Sequence, residues 1–237
     1  MALAVSNFWE AHGSGGSYSD TAPSINAATT VLVFTLLFAS TSSTTAPSSI
    51  VVTWDTGGTP VTGTQFGSTV VANSGSSCAA GAVFYVLAPA TGEAKNYSIA
   101  WSGPNQMYFS VKGYTGGDTS TPLANLSVNS DSATSISVTQ SPSAPAGDLI
   151  QSGMVTASGG GVSTSSDDNG GSEDFKDNGG ATGAFGRSSG SGGTTFTYNA
   201  SGGANNLIAV SVDVRAPSAA GGSTSTGMGL LTVGIGR

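Results

Sequence analysis

Residues 82–122 read AVFYVLAPATGEAKNYSIAWSGPNQMYFSVKGYTGGDTSTP, and this stretch decides the fold class. Residues 83–87 are an apolar run of β-branched and aromatic side chains closed by Pro89 and Gly92, the form of a strand entering a turn. Tyr97, Ile99 and Trp101 then alternate with Ser98, Ala100 and Ser102, which puts three large apolar side chains on one face. The Gly103-Pro104-Asn105 turn reverses the chain into Met107, Phe109 and Val111, alternating with Tyr108, Ser110 and Lys112. Three successive strands with short turns predict an antiparallel meander in the middle of one sheet. On this reading Trp101 belongs to the core, while Tyr108, Lys112 and Tyr114 lie on the opposite, wet face.

The remainder of the chain repeats the theme. Leu3, Val5 and Phe8-Trp9 predict a first strand tied into a sheet, followed by a loop at Gly13 to Gly16 and Pro23. Residues 31–38 (VLVFTLLF) are continuously apolar and predict a strand buried on both faces, at the centre of a sandwich. Further strands are expected at 50–54 (ended by Asp55 to Gly58), about 66–72, at Leu126 and Val128 as an edge, and at 135–138, 147–155, 195–199 and 207–214. The strands at 195–199 and 207–214 are expected to pair with each other. Residues 157–193 collapse into Gly, Ser and Asp and read as a long loop. The whole predicts an all-β, antiparallel β-sandwich of jelly-roll-like or immunoglobulin-like type. It forms one large domain over residues 1–215 with terminal extensions, the last being a linker and arm over 216–237; two stacked sandwiches are the other arrangement that fits.

At 237 residues, with only 8% charged side chains and 36 glycines, the composition favours short strands and many turns over helices. The net charge of −7 and six scattered basic residues would repel a phosphate backbone, which excludes nucleic acid as a partner class. The single Cys78 can form no intrachain disulfide and reads as a small buried hydrophobe. The apolar run at 31–38 is far shorter than the ~20 residues a membrane helix needs, and no basic segment precedes it, so a soluble, unprocessed chain is expected. Sequons at Asn96, Asn125 and Asn199 carry no weight in a Ser/Thr-rich chain.

Candidate chemistry is sparse. Gly186-Arg187-Ser188-Ser189-Gly190 matches the G-x-S-x-G nucleophile elbow, but no helix signal follows, and the sole histidine, His12, lies in a distant glycine-rich stretch that reads as a solvated loop. Glu10, Glu93 and Glu173 are the only glutamates, and Asp55 and Asp213 read as loop caps or residues of a solvated strand face, so no acid–base pair for glycoside hydrolysis emerges. The expectation is no enzyme, no catalytic residues and no cofactor. Tyr108 and Tyr114 are the candidates for a carbohydrate-stacking surface. Five acids, Asp167, Asp168, Glu173, Asp174 and Asp177, crowd into an oxygen-rich segment that could hold calcium; the spacing fails the EF-hand pattern and Lys176 sits among them, so an exposed loop is expected instead. Leu230, Leu231, Val233 and Ile235 lie beyond a Gly/Ser/Thr linker and predict an assembly arm that adds to a neighbour's sheet edge.

Several phrases resemble a jelly-roll-like β-sandwich module of tailed-bacteriophage virion structural proteins. They are Val52-Thr53-Trp54; Phe84 to Leu87 with Pro89, Thr91 and Gly92; Tyr97 to Gly103; Val111 with Gly113 to Gly116; Ser120 to Leu123; residues 135–138; Gly147-Asp148-Leu149; and residues 208–214. In order they cover roughly residues 50–214. Such modules often carry Gly or a small apolar residue where this chain has Asp55. The resemblance implies a non-enzymatic structural protein in the virion, assembled in the host cytoplasm. A capsid decoration or cement protein is expected, with the major capsid or tail protein and further copies of itself as partners. A tail, fibre or other surface module that binds carbohydrate is the alternative.

Overall fold

The computed structural model describes residues 2–157, 162–167, 172–176, 182–189, 194–200 and 206–217. All regular structure among them is strand: β1 (Ala4–Ser14), β2 (Ser17–Thr21), β3 (Thr29–Ser40), β4 (Ser48–Trp54), β5 (Val61–Thr62), β6 (Thr64–Ser74), β7 (Ser77–Leu87), β8 (Asn96–Ser102), β9 (Gln106–Thr115), β10 (Leu123–Asp131), β11 (Ser135–Thr139), β12 (Leu149–Thr156), β13 (Val162–Asp167), β14 (Ser172–Lys176), β15 (Thr182–Ser189), β16 (Thr195–Ala200) and β17 (Leu207–Val214).

These strands form four antiparallel sheets. The first orders β1-β9-β3-β7-β6; the second, β2-β8-β4-β5; the third, β10-β17-β12-β15-β14; the fourth, β11-β16-β13. Strand β3 shows why they stack. Its even residues Leu32, Phe34, Leu36 and Phe38 enter a core with Trp54, Tyr97, Ile99 and Trp101 of the second sheet. Its odd residues point the other way, Leu37 and Ala39 against Val155, Ile208 and Val210, and Val31 and Val33 near Val212 and Val214. A third core, with Ile150, Met154, Leu207 and Ala209 facing Ile136, Val138, Phe196 and Tyr198, joins the third sheet to the fourth. The molecule is therefore two sandwiches packed back to back through the first and third sheets. The central position expected for residues 31–38 holds, with β3 hydrogen-bonded to β7 on one side and β9 on the other.

The expected meander does not form. Strands β7 and β9 flank β3 in the first sheet, whereas β8 crosses to the second. The alternation in β8 and β9 was read as two neighbours sharing one dry face. Instead the two apolar rows face each other across the core, with Tyr97 and Phe109 in edge contact at 6.1 Å. Gly103, at φ 108°, turns the chain between sheets, and its neighbour Trp101 donates from Nε1 to Pro104 O at 2.7 Å. Likewise β16 and β17 do not pair. The first joins β11 and β13, the second joins β10 and β12, and Tyr198 and Ala209 share the core between them. Of the loop expected at Gly13 to Gly16, only Gly15 and Gly16 form a turn, which carries the chain from β1 in the first sheet to β2 in the second, and residues 157–193, expected as a loop, carry β13, β14 and β15, with Phe185 fully buried. Glycine and serine suit strands wherever a facing sheet comes close. A Cβ at Gly81 would lie 2.7 Å from Val210 Cγ1 of the third sheet, and one at Gly153 would lie 3.1 Å from Leu37 Cδ1 of the first sheet and 2.8 Å from the ring of Phe185, its partner in β15.

These two glycines set the spacing between the sandwiches, which yields a test. Gly81→Ala and Gly153→Ala should each lower unfolding free energy in urea by about 1–3 kcal/mol through overpacking. Combining Gly81→Ala with Val210→Ala should cost less than the sum of the two single changes, because the clash is removed with the valine methyls.

Candidate functional site

Where two sandwiches meet, polar side chains are trapped with the apolar ones. The row of β9 facing the third sheet is Tyr108, Ser110, Lys112 and Tyr114, all buried, Lys112 at 0% exposure. This corrects the expectation of a wet face: that alternation is wet in a lone sandwich, but here a second sandwich covers it. Tyr114 donates from its hydroxyl to Gln151 Oε1 at 2.9 Å, and Gln151 Nε2 donates to Thr35 Oγ1 at 2.8 Å. Three strands, β9, β12 and β3, are thereby pinned across the interface. Tyr108 lies beneath Leu37, Ala79 and Phe185 in a core cluster. Neither tyrosine can offer its face to a sugar ring, so the carbohydrate-stacking candidates are withdrawn. Cys78 is buried as expected, and burial pushes its thiol above the ordinary range, leaving it a packing residue.

The exposed geometry concentrates at the sheet edges. Among the described residues, strand β6 ends the first sheet and β10 ends the third, each hydrogen-bonded to a strand on one side only. Both carry bulges, between Phe66 and Val70 and between Ala124 and Ser127. The bulges interlock: Gly67 takes φ 68°, and a Cβ there would lie 2.8 Å from Leu126 Cδ2. Bulges of this kind blunt an edge against unspecific pairing. Beyond them the two strand ends diverge around an open groove of about 440 Å³ lined by Asn73, Ser74, Ser130, Asp131 and Asn206 among others. Asn206 is held in place by donating to Ser77 O at 3.1 Å, and Asp131 Oδ1 accepts the Ser132 N–H at 2.6 Å. The groove offers hydroxyl and amide groups suited to hydrogen bonding and contains no aromatic platform. Val71 and Val128, both exposed, lie on the two strands that form it.

The other expected site residues do not converge. Asp167 ends β13 in the fourth sheet, while Glu173 and Asp174 sit in β14 at the edge of the third; Asp168 and Asp177 lie outside the described residues. The acidic stretch is thus divided between two sheets rather than held in one loop. No cluster of three or more His, Cys, Asp or Glu side chains able to hold a metal ion occurs among the described residues. Residues 186–189 of the G-x-S-x-G match run within β15, in register with β12, and not at a strand-to-helix elbow. His12 is exposed but lies in β1, its ring 6.2 Å from Tyr108. Asp55, at φ 57°, accepts the Thr59 N–H at 3.2 Å and caps the turn after β4, near Lys95 Nζ at 4.0 Å. Asp213, expected on a solvated face, is fully buried beside Asp148. The arm residues Leu230, Leu231, Val233 and Ile235 lie outside the described residues. Comparison with known protein families, with curated proteins and with solved structures found no match.

The polar bridge between sandwiches gives the next test. Tyr114→Phe removes the donor to Gln151 and leaves a buried amide oxygen without its partner, at a cost of about 1–3 kcal/mol. Urea unfolding of the variant should show that loss, and an equal stability would mean that the bridge contributes nothing net.

Proposed function

We propose that this chain is a non-enzymatic structural protein of a bacteriophage virion, a capsid decoration protein that assembles with other copies and with the major capsid protein. The observation that carries the reading is where the phage-like phrases fall. They occupy strands of both sandwiches and the turns between them, from Val52 in β4 through Phe84 in β7, Tyr97 in β8 and Val111 in β9 to Leu149 in β12 and Ile208 in β17. The acidic, weakly charged composition supports a position on the capsid exterior, away from packaged DNA. The edges of β1, β6 and β10, unpaired among the described residues, leave strand rims on which a neighbour can add. With Tyr108 and Tyr114 buried, nothing in the described surface favours the carbohydrate-binding alternative over this reading.

Antibodies raised against the purified chain test the proposal directly. In negative-stain micrographs of phage particles from lysates that contain the protein, gold label should decorate the capsid exterior. Label confined to free protein, or to the inner surface of opened capsids, would overturn it. The arm is tested separately. Removing residues 221–237 should leave the melting temperature within about 2 °C while reducing self-association in sedimentation velocity. A truncation that unfolds the protein would instead place those residues inside the fold.

A further inference from the structure

Asp213 sits in β17 on the face turned toward the fourth sheet, in the row Leu207, Ala209, Ser211, Asp213. It is 0% exposed, and Asp148, which immediately precedes β12, is 5% exposed. In the β12–β17 register Ile150 lies opposite Asp213, which brings Asp148, two residues ahead of Ile150, beside Asp213, and the two carboxyls interact. Each has one committed oxygen. Asp148 Oδ1 accepts the Ala216 N–H at 2.7 Å, and Asp213 Oδ2 faces Asn125 Nδ2 at 3.5 Å. The remaining oxygens, Asp148 Oδ2 and Asp213 Oδ1, are buried and receive no hydrogen bond from any donor among the described residues. Two buried carboxylates side by side are unfavourable when both are charged, and one proton held by the pair relieves the repulsion and supplies a donor.

We propose that Asp148 and Asp213 share one proton and form a pH-sensitive latch at the end of the second sandwich, tying the connection before β12 to the end of β17 and to the chain's exit at Ala216. The neighbouring segments converge on this point. Arg215 N donates to Pro122 O at 3.0 Å and Asp118 N donates to Arg215 O at 2.9 Å, so the residues after β17 run beneath the connection that leads into β10. Gln140 bridges from the connection before β12, accepting from Ser211 Oγ at 2.8 Å and donating to Asn125 O. Among the described residues, the charged and titratable groups around the pair are few. Arg215 attracts the ionised form of Asp213 but lies partly in solvent; Asp118 is beyond it, its carboxylate capping Ser120 and Thr121; Tyr198 of the fourth sheet has its hydroxyl engaged with Ser152. Asn125, Gln140 and Ser211 do not titrate.

Burial, and next the charge of Asp148, push the Asp213 carboxyl up to about 7 from an ordinary value near 3.8. A group whose folded pKa is raised binds its proton more tightly in the folded state. Its contribution to stability is full below the unfolded value and is lost as pH rises through the folded one. The latch is therefore closed in mildly acidic solution and opens as pH passes neutrality, when two buried negative charges confront each other.

Carboxyl carbon NMR on the full chain with labelled aspartate reads the pair without any substitution. One titration should have an apparent midpoint near neutrality, about 3 units above an ordinary Asp. If every aspartate titrates in the ordinary carboxylate range, the latch does not exist. In parallel, the melting temperature of the native chain should fall from about pH 5 to about pH 8, and Asp213→Asn, which keeps a neutral donor at that position, should flatten the fall. Parallel curves for the two proteins would overturn the proposal. So would calcium or magnesium chloride raising the native melting temperature above pH 8 with the rise lost in Asp213→Asn, because the pair would then be a cation site.

Discussion

Strand β3 is the constraint on which the architecture rests. Of its twelve residues only Thr30 retains partial exposure, so both faces of the strand must be covered. One face is met by the second sheet and the other by the third, and neither could be removed without exposing a continuous row of Leu, Phe and Val. At roughly 25 cal/mol per Å² of apolar surface, each row supplies several kcal/mol, comparable to the whole net stability of an ordinary domain. The two sandwiches are thus joined by burial of the same strand rather than by a linker and a marginal contact.

Apolar burial sets no register by itself, and the polar groups at the interface supply one. The Tyr114–Gln151–Thr35 bridge requires particular positions on β9, β12 and β3 to align, because each buried donor that misses its acceptor forfeits a hydrogen bond without regaining water. Gly81 and Gly153 add a steric gauge, since a side chain at either place would hold the sheets apart. At the open edge, Gly67 beneath Leu126 does the same for the bulges. This combination of a dry, closely spaced centre with bulged, hydrogen-bonding rims leaves the molecule's capacity for contacts at its edges. That distribution is what the proposed role in an assembly would use.

Charge is sparse, and apart from Lys112 within β9 the buried charged groups named above sit at structural junctions. Asp55 caps the turn after β4 close to Lys95, and the Asp148–Asp213 pair lies where β17 ends. An ionisable group placed at such a junction couples local geometry to solution conditions, because burial penalises its charged form far more than exposure would. The aromatic cluster of Trp9, Trp54, Tyr97 and Tyr18 lies in the first sandwich, its rings 5.9 to 6.3 Å apart, and Tyr18 donates outward to the Asp20 carboxylate at 2.8 Å.

The sequence by itself determined the all-β class, most of the long strands and which rows of their side chains are dry. The continuous apolarity of residues 31–38 marked a strand covered on both sides, and the alternation at Tyr97, Ile99 and Trp101 marked one dry face, since period-two patterning follows directly from the pleat. Asp213 was read as solvated, and Tyr108, Lys112 and Tyr114 as facing water, because a polar or amphipathic side chain on an alternating strand normally does so. Only the tertiary structure decided which sheet each strand joined and whether a second sandwich covered its polar row. Alternation reports that a face is dry but not what covers it: Met107 and Phe109 could equally have packed beside Tyr97 and Ile99 or across from them. The choice is made by contacts between residues far apart in the chain, such as Gln151 with Thr35 and Val210 with Gly81, which no local pattern encodes.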